Sequence, residues 1–366
     1  MNPKLPKEQH IFKRVFRVGR FLAYRDLKRA SRATTGLIIA IMTLTFLNLV
    51  VVSGILVGLI ESSVNAQKAR YTGDIIISPY QDKKFIDHTK DVLDIVKTVP
   101  GYVGYTSRYT AGGTTISNYR DTLTNDEKLN STAGLIAGID PVAEDAITHI
   151  SNKVVEGSFL EVGDTDSIVI GADLLYKYTP IESPGFSTLK NVDLGSRVLI
   201  KVGDAQKEFI IKGIIKSKVG DVDQRIYMLD SELRKLIGNV DFNVEEIAIQ
   251  ITPTTDPVVF KQDLVASGVA TYGRVQTAEE AQPKFLQQIK QTFALLGNMI
   301  SAIGLVVASI TIFIVIFVNA ITRRRFIGIL KGVGIMPAAI EISYVLQAMF
   351  FAAVGTIIGS TIVFGF

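Results

Sequence analysis

The sequence predicts an α+β membrane protein, with transmembrane helices and a large extracytoplasmic domain in which one α+β part is split by a β-rich insert. Three observations carry that reading. The stretches 36–60, 291–321 and 342–366 hold no charged residue, and each is long enough to cross a hydrocarbon core of about 30 Å as a helix. Residues 61–290 are charged, mixed in pattern and numerous enough to bury a core of their own. Basic residues gather before the first apolar stretch and between the second and third, which puts those segments on the cytoplasmic side and 61–290 on the other.

Composition narrows the function classes. The chain of 366 residues is 48% hydrophobic, high for a soluble protein. Its net charge of +4 sits beside the apolar stretches, where anionic headgroups attract it, so a lipid bilayer and not nucleic acid is the expected partner. The chain has no cysteine, which excludes a disulfide framework, thiol catalysis and cysteine-ligated zinc. It has no Gly-x-x-x-x-Gly-Lys-Ser/Thr loop, no His-Glu-x-x-His pair and no Gly-x-Ser-x-Gly elbow, and its three histidines are scattered. No cofactor, no metal and no catalytic residue is expected, and the chain does not read as an enzyme. The neighbouring carboxylates Asp126-Glu127 and Glu245-Glu246 read as solvated.

In chain order, residues 1–35 form a basic cytoplasmic segment, with Ile11, Phe12, Val15, Phe16, Phe21, Leu22 and Leu27 at helical spacing, as in an amphipathic helix on a membrane face. The first transmembrane helix is 36–60, and its Gly54 and Gly58 form a small-xxx-small pair suited to helix packing. A strand at 74–78 ends at Pro79, and a helix at 89–99 stops at Pro100-Gly101. Strands follow at 103–109, 114–117 and 135–139, with a polar loop at 121–131. Asp140 is placed to cap a helix that Pro141 opens, running to Ile150. The β-rich insert covers about 190–230, with strands at 198–202, 209–215 and 225–228 and a Gly203-Asp204 hairpin turn. A short helix at 231–237, a strand at 246–252 and a helix at 257–266 restore the strand–helix alternation. A polar helix from about Thr277 leads through a stalk into the second transmembrane helix, 291–321. The third, 342–366, carries a second small-xxx-small pair, Gly355 and Gly359.

Between those last two helices lies a cytoplasmic coupling loop, 322–341. Arg323, Arg324, Arg325 and Lys331 can meet lipid phosphates or acidic side chains of a partner. Gly332 and Gly334 are expected to end the second transmembrane helix, since glycine takes the left-handed cap geometry without a clash. Val333, Ile335 and Met336 are then apolar groups at the turn, and Pro337 opens a short surface helix before the third span.

Four groups of residues, in this order, resemble the permeases of the macrolide-exporter and lipoprotein-releasing group of ABC transporters (MacB, LolC, FtsX). They are Ala23-Tyr24-Arg25-Asp26-Leu27-Lys28; Gly138-Ile139-Asp140-Pro141 with Glu156-Gly157-Ser158-Phe159 and Ile168-Val169-Ile170-Gly171; Ile327 to Gly334; and Gln347-Ala348 before a glycine-containing span. The resemblance implies a multi-pass permease in the cell membrane whose outer domain joins a split porter-like part to the β-rich insert. It implies a partner, a cytoplasmic ABC ATPase subunit, and a homodimer or heterodimer of permeases, with a periplasmic or outer-envelope protein as a further partner. It also implies mechanotransmission, in which ATP hydrolysis below rearranges the outer domain for export or extraction of a substrate. The alternative within the same resemblance is an FtsX-like signalling subunit that activates a cell-wall hydrolase. Phe326 stands where the family usually has an acidic residue. The family's fourth span is not in the sequence, which is expected to be a fragment.

Overall fold

The computed structural model describes residues 7–120, 129–180 and 187–365; Asp126-Glu127 and most of the predicted polar loop lie outside them. In chain order the elements are α1 (Lys7–Arg29), α2 (Arg32–Gln67), a five-residue π-turn (Lys68–Thr72), β1 (Ile75–Ser78), α3 (Thr89–Thr98), β2 (Tyr102–Ile116), β3 (Ser131–Ile139), α4 (Pro141–Thr148), β4 (Val154–Gly157), β5 (Ser167–Gly171), β6 (Arg197–Val202), β7 (Ala205–Ile215), α5 (Gly220–Asp223), β8 (Arg225–Leu229), α6 (Asp230–Ile237), β9 (Glu246–Ile251), α7 (Pro257–Ala266), β10 (Arg274–Thr277), α8 (Lys284–Thr322), α9 (Arg324–Gly332) and α10 (Pro337–Phe364). They fall into two compact units, Glu61–Gln287 and the two chain ends Met1–Ile60 with Gln288–Phe366.

The Glu61–Gln287 unit is built on one ten-stranded sheet. Its first part is β1-α3-β2 and β9-α7-β10, with the strands ordered β10-β1-β9-β2 and every neighbouring pair antiparallel. That is the ferredoxin-like arrangement of two interlocked βαβ units. Helices α3 and α7 cover the sheet, and Val92, Val96, Phe260 and Leu264 pack against Ile75, Ile77, Ile247 and Ile249 in one buried core.

The second part is inserted between β2 and β9. The pairings β2–β3, β3–β8, β8–β5, β5–β7, β7–β6 and β6–β2 close a ring of six strands. All six contribute to one core, among them Ala111, Ile136, Ile170, Ile200, Phe209 and Met228. Alternate residues Ala137, Val169 and Tyr227 face a second core outside it, the period-2 pattern of a closed sheet. The insert is thus wider than the predicted 190–230 stretch, because closing the ring needs β2, β3 and β5 as well as β6, β7 and β8.

Strand β2 belongs to both parts: Tyr102 to Arg108 pair with β9, and Arg108 to Ile116 pair with β3. It replaces the two strands expected at 103–109 and 114–117. Gly113 lies inside it because a Cβ there would stand 2.4 Å from Ile136 Cδ1 and 2.9 Å from the Lys201 carbonyl, where β3 and β6 close on β2. Asp140 caps α4 as expected, its carboxylate accepting from the amides of Val142 and Ala143. The Gly203-Asp204 turn joins β6 to β7, with Gly203 at φ +58°. Glu245-Glu246, read as solvated, are buried or nearly so, because β9 enters the sheet at this point.

In the other unit, Leu286–Thr322 and Pro337–Phe364 are long and apolar enough to cross a membrane. They contain the predicted second span, 291–321, and residues 342–364 of the predicted third. The predicted first span lies in α2, a helix of 36 residues; part of its apolar second half is outside the described side chains. The polar helix expected from Thr277 begins instead at Lys284, since Thr277 is the last residue of β10 and Pro283 disfavours helical geometry before it.

Candidate coupling site

Helix α8 ends at Thr322, ten residues before the first of the two glycines expected to end it (332 − 322 = 10). Arg323 leaves helical geometry at φ −106°, ψ 16°, with its Nη1 2.6 Å from Asp26 Oδ1 of α1. The other Asp26 oxygen lies 3.4 Å from Gln347 Nε2 of α10. One carboxylate thus ties α1 to the α8–α9 break and to α10. Asp26 and Gln347 carry part of the resemblance, but sequence spacing assigned neither to the junction.

Helix α9 follows at once. Arg324 and Arg325 occupy its first turn, where positive side chains oppose the helix dipole. That placement costs helix stability, so it reflects something other than the needs of α9 itself. Phe326, Ile329 and Val333 are 45%, 63% and 77% exposed, and Lys331 is exposed as well.

The turn that ends α9 has two nested hydrogen bonds: the Ile335 amide donates to the Leu330 carbonyl at 3.0 Å and the Gly334 amide to the Lys331 carbonyl at 3.0 Å. This is a Schellman motif with Gly334 at its left-handed position, φ +91°. Gly334 alone fills the predicted capping role, while Gly332 is the last residue of α9. Pro337 then opens α10 directly, with Met336 in extended geometry before it. The short surface helix expected after the turn therefore comes before it, as α9.

Helix α1 packs on the start of α10. Val15, Gly19 and Ala23 make the contact stripe at i, i+4 and i+8; Val15 and Ala23 are buried, and a Cβ on Gly19 would stand 2.8 Å from Ile342 Cγ2. Beside that contact is a cavity of about 250 Å³ lined by Arg14, Val15, Val18, Gly334, Ile335, Met336 and Ala339. Gly334, Ile335 and Met336 are thus brought together with α1, while Arg324, Arg325, Lys331 and Val333 stand at the surface. Of the packing glycines, Gly355 and Gly359 face α2: an added Cβ would stand 2.7 Å from Met42 Cβ and 2.5 Å from Phe46 Cδ1. Gly54 and Gly58 have nothing within 4 Å among the described residues.

Comparison with known proteins adds the following. The periplasmic region of MacB from Actinobacillus actinomycetemcomitans shares 12% identity, with 60% of this chain and 91% of that one covered and a TM-score of 0.38. The extracellular domain of the noncanonic ABC-type transporter YknZ from Gram-positive bacteria shares 12% identity, with 56% and 97% covered and a TM-score of 0.35. No curated protein matches the chain. Residues 298–366, which hold most of α8 and all of α9 and α10, match the family described as FtsX-like permease C-terminal, so this C-terminal part of the chain is similar to the permeases of that family.

Proposed function

We propose that this chain is the membrane subunit that couples ATP hydrolysis by a separate cytoplasmic ATPase to movements of its Glu61–Gln287 unit, for export or extraction of a substrate. In this reading three helices span the membrane, residues 36–60 of α2 first among them. The N-terminus and residues 322–341 are cytoplasmic, Glu61–Gln287 is extracytoplasmic, and two permease chains work together. The single observation that carries it is α9, a short helix with a basic first turn, an exposed apolar face and a glycine-fixed end, between two helices long and apolar enough to cross a membrane. A rigid, exposed element of that kind presents apolar side chains to a groove and charges to its rim, the arrangement of a helix-in-groove contact. The family match supports it, since such permeases work with a separate ATPase.

The test is purification from membranes followed by ATPase assays with the co-purifying ABC ATPase. Wild-type permease in lipid should stimulate hydrolysis severalfold. The variant Gly334→Val, which cannot hold φ +91° without strain, should insert normally and lose most of that stimulation. Full stimulation by the variant, or absence of an ATPase partner, would sink the reading.

A further inference from the structure

At its outer end α2 runs into the π-turn, a wide helical turn that recurs at functional sites. The turn carries Tyr71 into a buried cluster of charges. Arg108 of β2 makes a bidentate pair with Glu144 of α4, Nε to Oε2 at 2.9 Å and Nη2 to Oε1 at 2.7 Å, both side chains being 1% exposed. Arg225 of β8 makes a second bidentate pair with Glu246 of β9, at 2.9 and 2.8 Å. Arg108 Nη1 joins the pairs by donating to Glu246 Oε2 at 3.2 Å. Tyr71 lies at the centre: its hydroxyl donates to Glu246 Oε1 at 2.7 Å and accepts from Arg225 Nη2 at 2.9 Å, and its carbonyl accepts from Arg108 Nη2 at 2.8 Å. Both guanidinium groups lie over its ring, 5.0 and 4.8 Å from the centroid.

The charges balance, two guanidinium groups against two carboxylates. Burial alone would raise the Glu246 carboxyl; the Arg225 and Arg108 charges and the Tyr71 hydroxyl outweigh it and hold it down to about 2. A buried ion cluster is an inefficient source of stability, because desolvation offsets much of the attraction. Its position is more informative. Arg108 is the residue at which β2 passes from pairing with β9 to pairing with β3, so it stands at the seam between the ferredoxin-like part and the six-strand ring. Glu246 begins β9 on one side of that seam, and Arg225 begins β8 on the other.

Further polar links fix the same helix end: Gln67 Nε2 to Asp221 Oδ2 at 2.8 Å, Lys68 to Asp74 at 2.6 Å, and the Arg70 guanidinium to the Ser217 carbonyl. Gly73 has no room for a side chain, since a Cβ would stand 2.6 Å from the Ile249 carbonyl. Hydrogen-bonded charges are directional, so rotation or displacement of α2 cannot slip past them as it could past apolar contacts.

Resting on the coupling role proposed above, we infer that the Tyr71–Arg108–Arg225–Glu144–Glu246 cluster is the anchor through which motion of α2 enters both parts of the outer unit, with Tyr71 as the positioning residue. Tyr71 is the member on the helix; the four charged members are on the sheet and on α4, which covers it.

The experiment uses the full chain with its ATPase partner in lipid nanodiscs, with hydrogen exchange followed in nucleotide-free and ATP–vanadate states. In the wild type, exchange in Tyr102–Ile116 and Arg225–Leu229 should differ between the states. In Tyr71→Ala that difference should vanish while at least half of the stimulated ATPase rate remains. Tyr71→Phe keeps the ring and loses only the hydroxyl, so it should fold as the wild type does and show a reduced difference at Arg225–Leu229. A full wild-type difference in both variants overturns the inference, as does a nucleotide-free Tyr71→Phe sheet that has lost its protection, which would make the cluster a prop for folding. Absence of ATPase stimulation by the wild type overturns the underlying reading, and the inference with it, without reference to either variant.

Discussion

Arg323 Nη1 stands 2.6 Å from Asp26 Oδ1, and the two side chains are only 29% and 16% exposed. This pair separates the three arginines of the junction: Arg323 holds α1 against the break after α8, whereas Arg324 and Arg325 point to the surface. Partial burial reduces the screening that limits an exposed pair to roughly 0.2–1 kcal/mol, and adds a desolvation cost. Asp26→Ala and Arg323→Ala should each lower the melting temperature in detergent. A double-mutant cycle should return a coupling of about 1 kcal/mol or more; strictly additive effects would show that the pair contributes nothing.

The two small-xxx-small pairs should respond in opposite ways. Gly355→Val drives a methyl into Met42 and the Thr43 amide, 2.7 and 3.1 Å from where its Cβ would be. It should cost about 1–3 kcal/mol as overpacking and separate α10 from α2. Gly54→Ala meets nothing within 4 Å among the described residues, and the better helix former should raise stability by roughly 0.5–1 kcal/mol. Thermal unfolding of both variants in the same detergent decides the matter, and equal losses would contradict the assignment of Gly355 to the helix interface.

Much of the fold was readable because its signals are local. Asp140-Pro141 starts a helix, Gly203-Asp204 turns a hairpin and Pro337 opens α10, all through backbone preferences that act over a few residues. The ring of six strands was not readable, since its closing pairs join segments distant in sequence: β3 with β8, and β2 with β6. The charge cluster was hidden for the same reason. Arg108, Glu144, Arg225 and Glu246 look like ordinary surface charges until folding brings them together, and Glu245-Glu246 read as solvated. At the candidate coupling site the glycines and arginines were visible, but the end of α8 was not. Arg323, which leaves helical geometry there, pairs with Asp26, almost three hundred residues earlier (323 − 26 = 297).

Glu245 gives the Glu61–Gln287 unit a pH dependence of defined sign. Burial raises its carboxyl from the ordinary 4.5 to about 7, against the lowering effect of the hydrogen bond from the Thr110 amide and of Lys84. Its Oε2 accepts that bond at 2.6 Å, and its Oε1 has no partner among the described residues. Between about pH 4.5 and 7 the folded chain keeps a proton that the unfolded chain has released. Stability from this group therefore falls as pH rises through that window and is level above it. Glu246 acts oppositely and elsewhere: its depressed value of about 2 means a contribution present above the unfolded carboxylate range and lost as pH falls toward 2. Glu245→Gln should match the wild type near pH 4.5 and melt several degrees higher at pH 8. An identical shift at both pH values would refute the titration of Glu245 as the cause.

The exposed face of α9 yields the most direct test of what that helix touches. Ile329 and Val333 are 63% and 77% exposed, and neither fills a core. Ile329→Asp and Val333→Asp should therefore leave the melting temperature almost unchanged, as exposed substitutions usually do within about 0.5 kcal/mol. If a protein groove receives these side chains, a buried unpaired carboxylate is costly there, and ATPase activity should fall to near its unstimulated rate. Arg324→Ala and Arg325→Ala act at the rim of the same contact, where charges steer encounter and are screened by salt. They should slow association at low ionic strength and matter little at high salt. Stimulation that survives both aspartate substitutions would mean that α9 presents its apolar face to lipid, and membrane-partitioning measurements on the same variants would then show the loss that the ATPase assay did not.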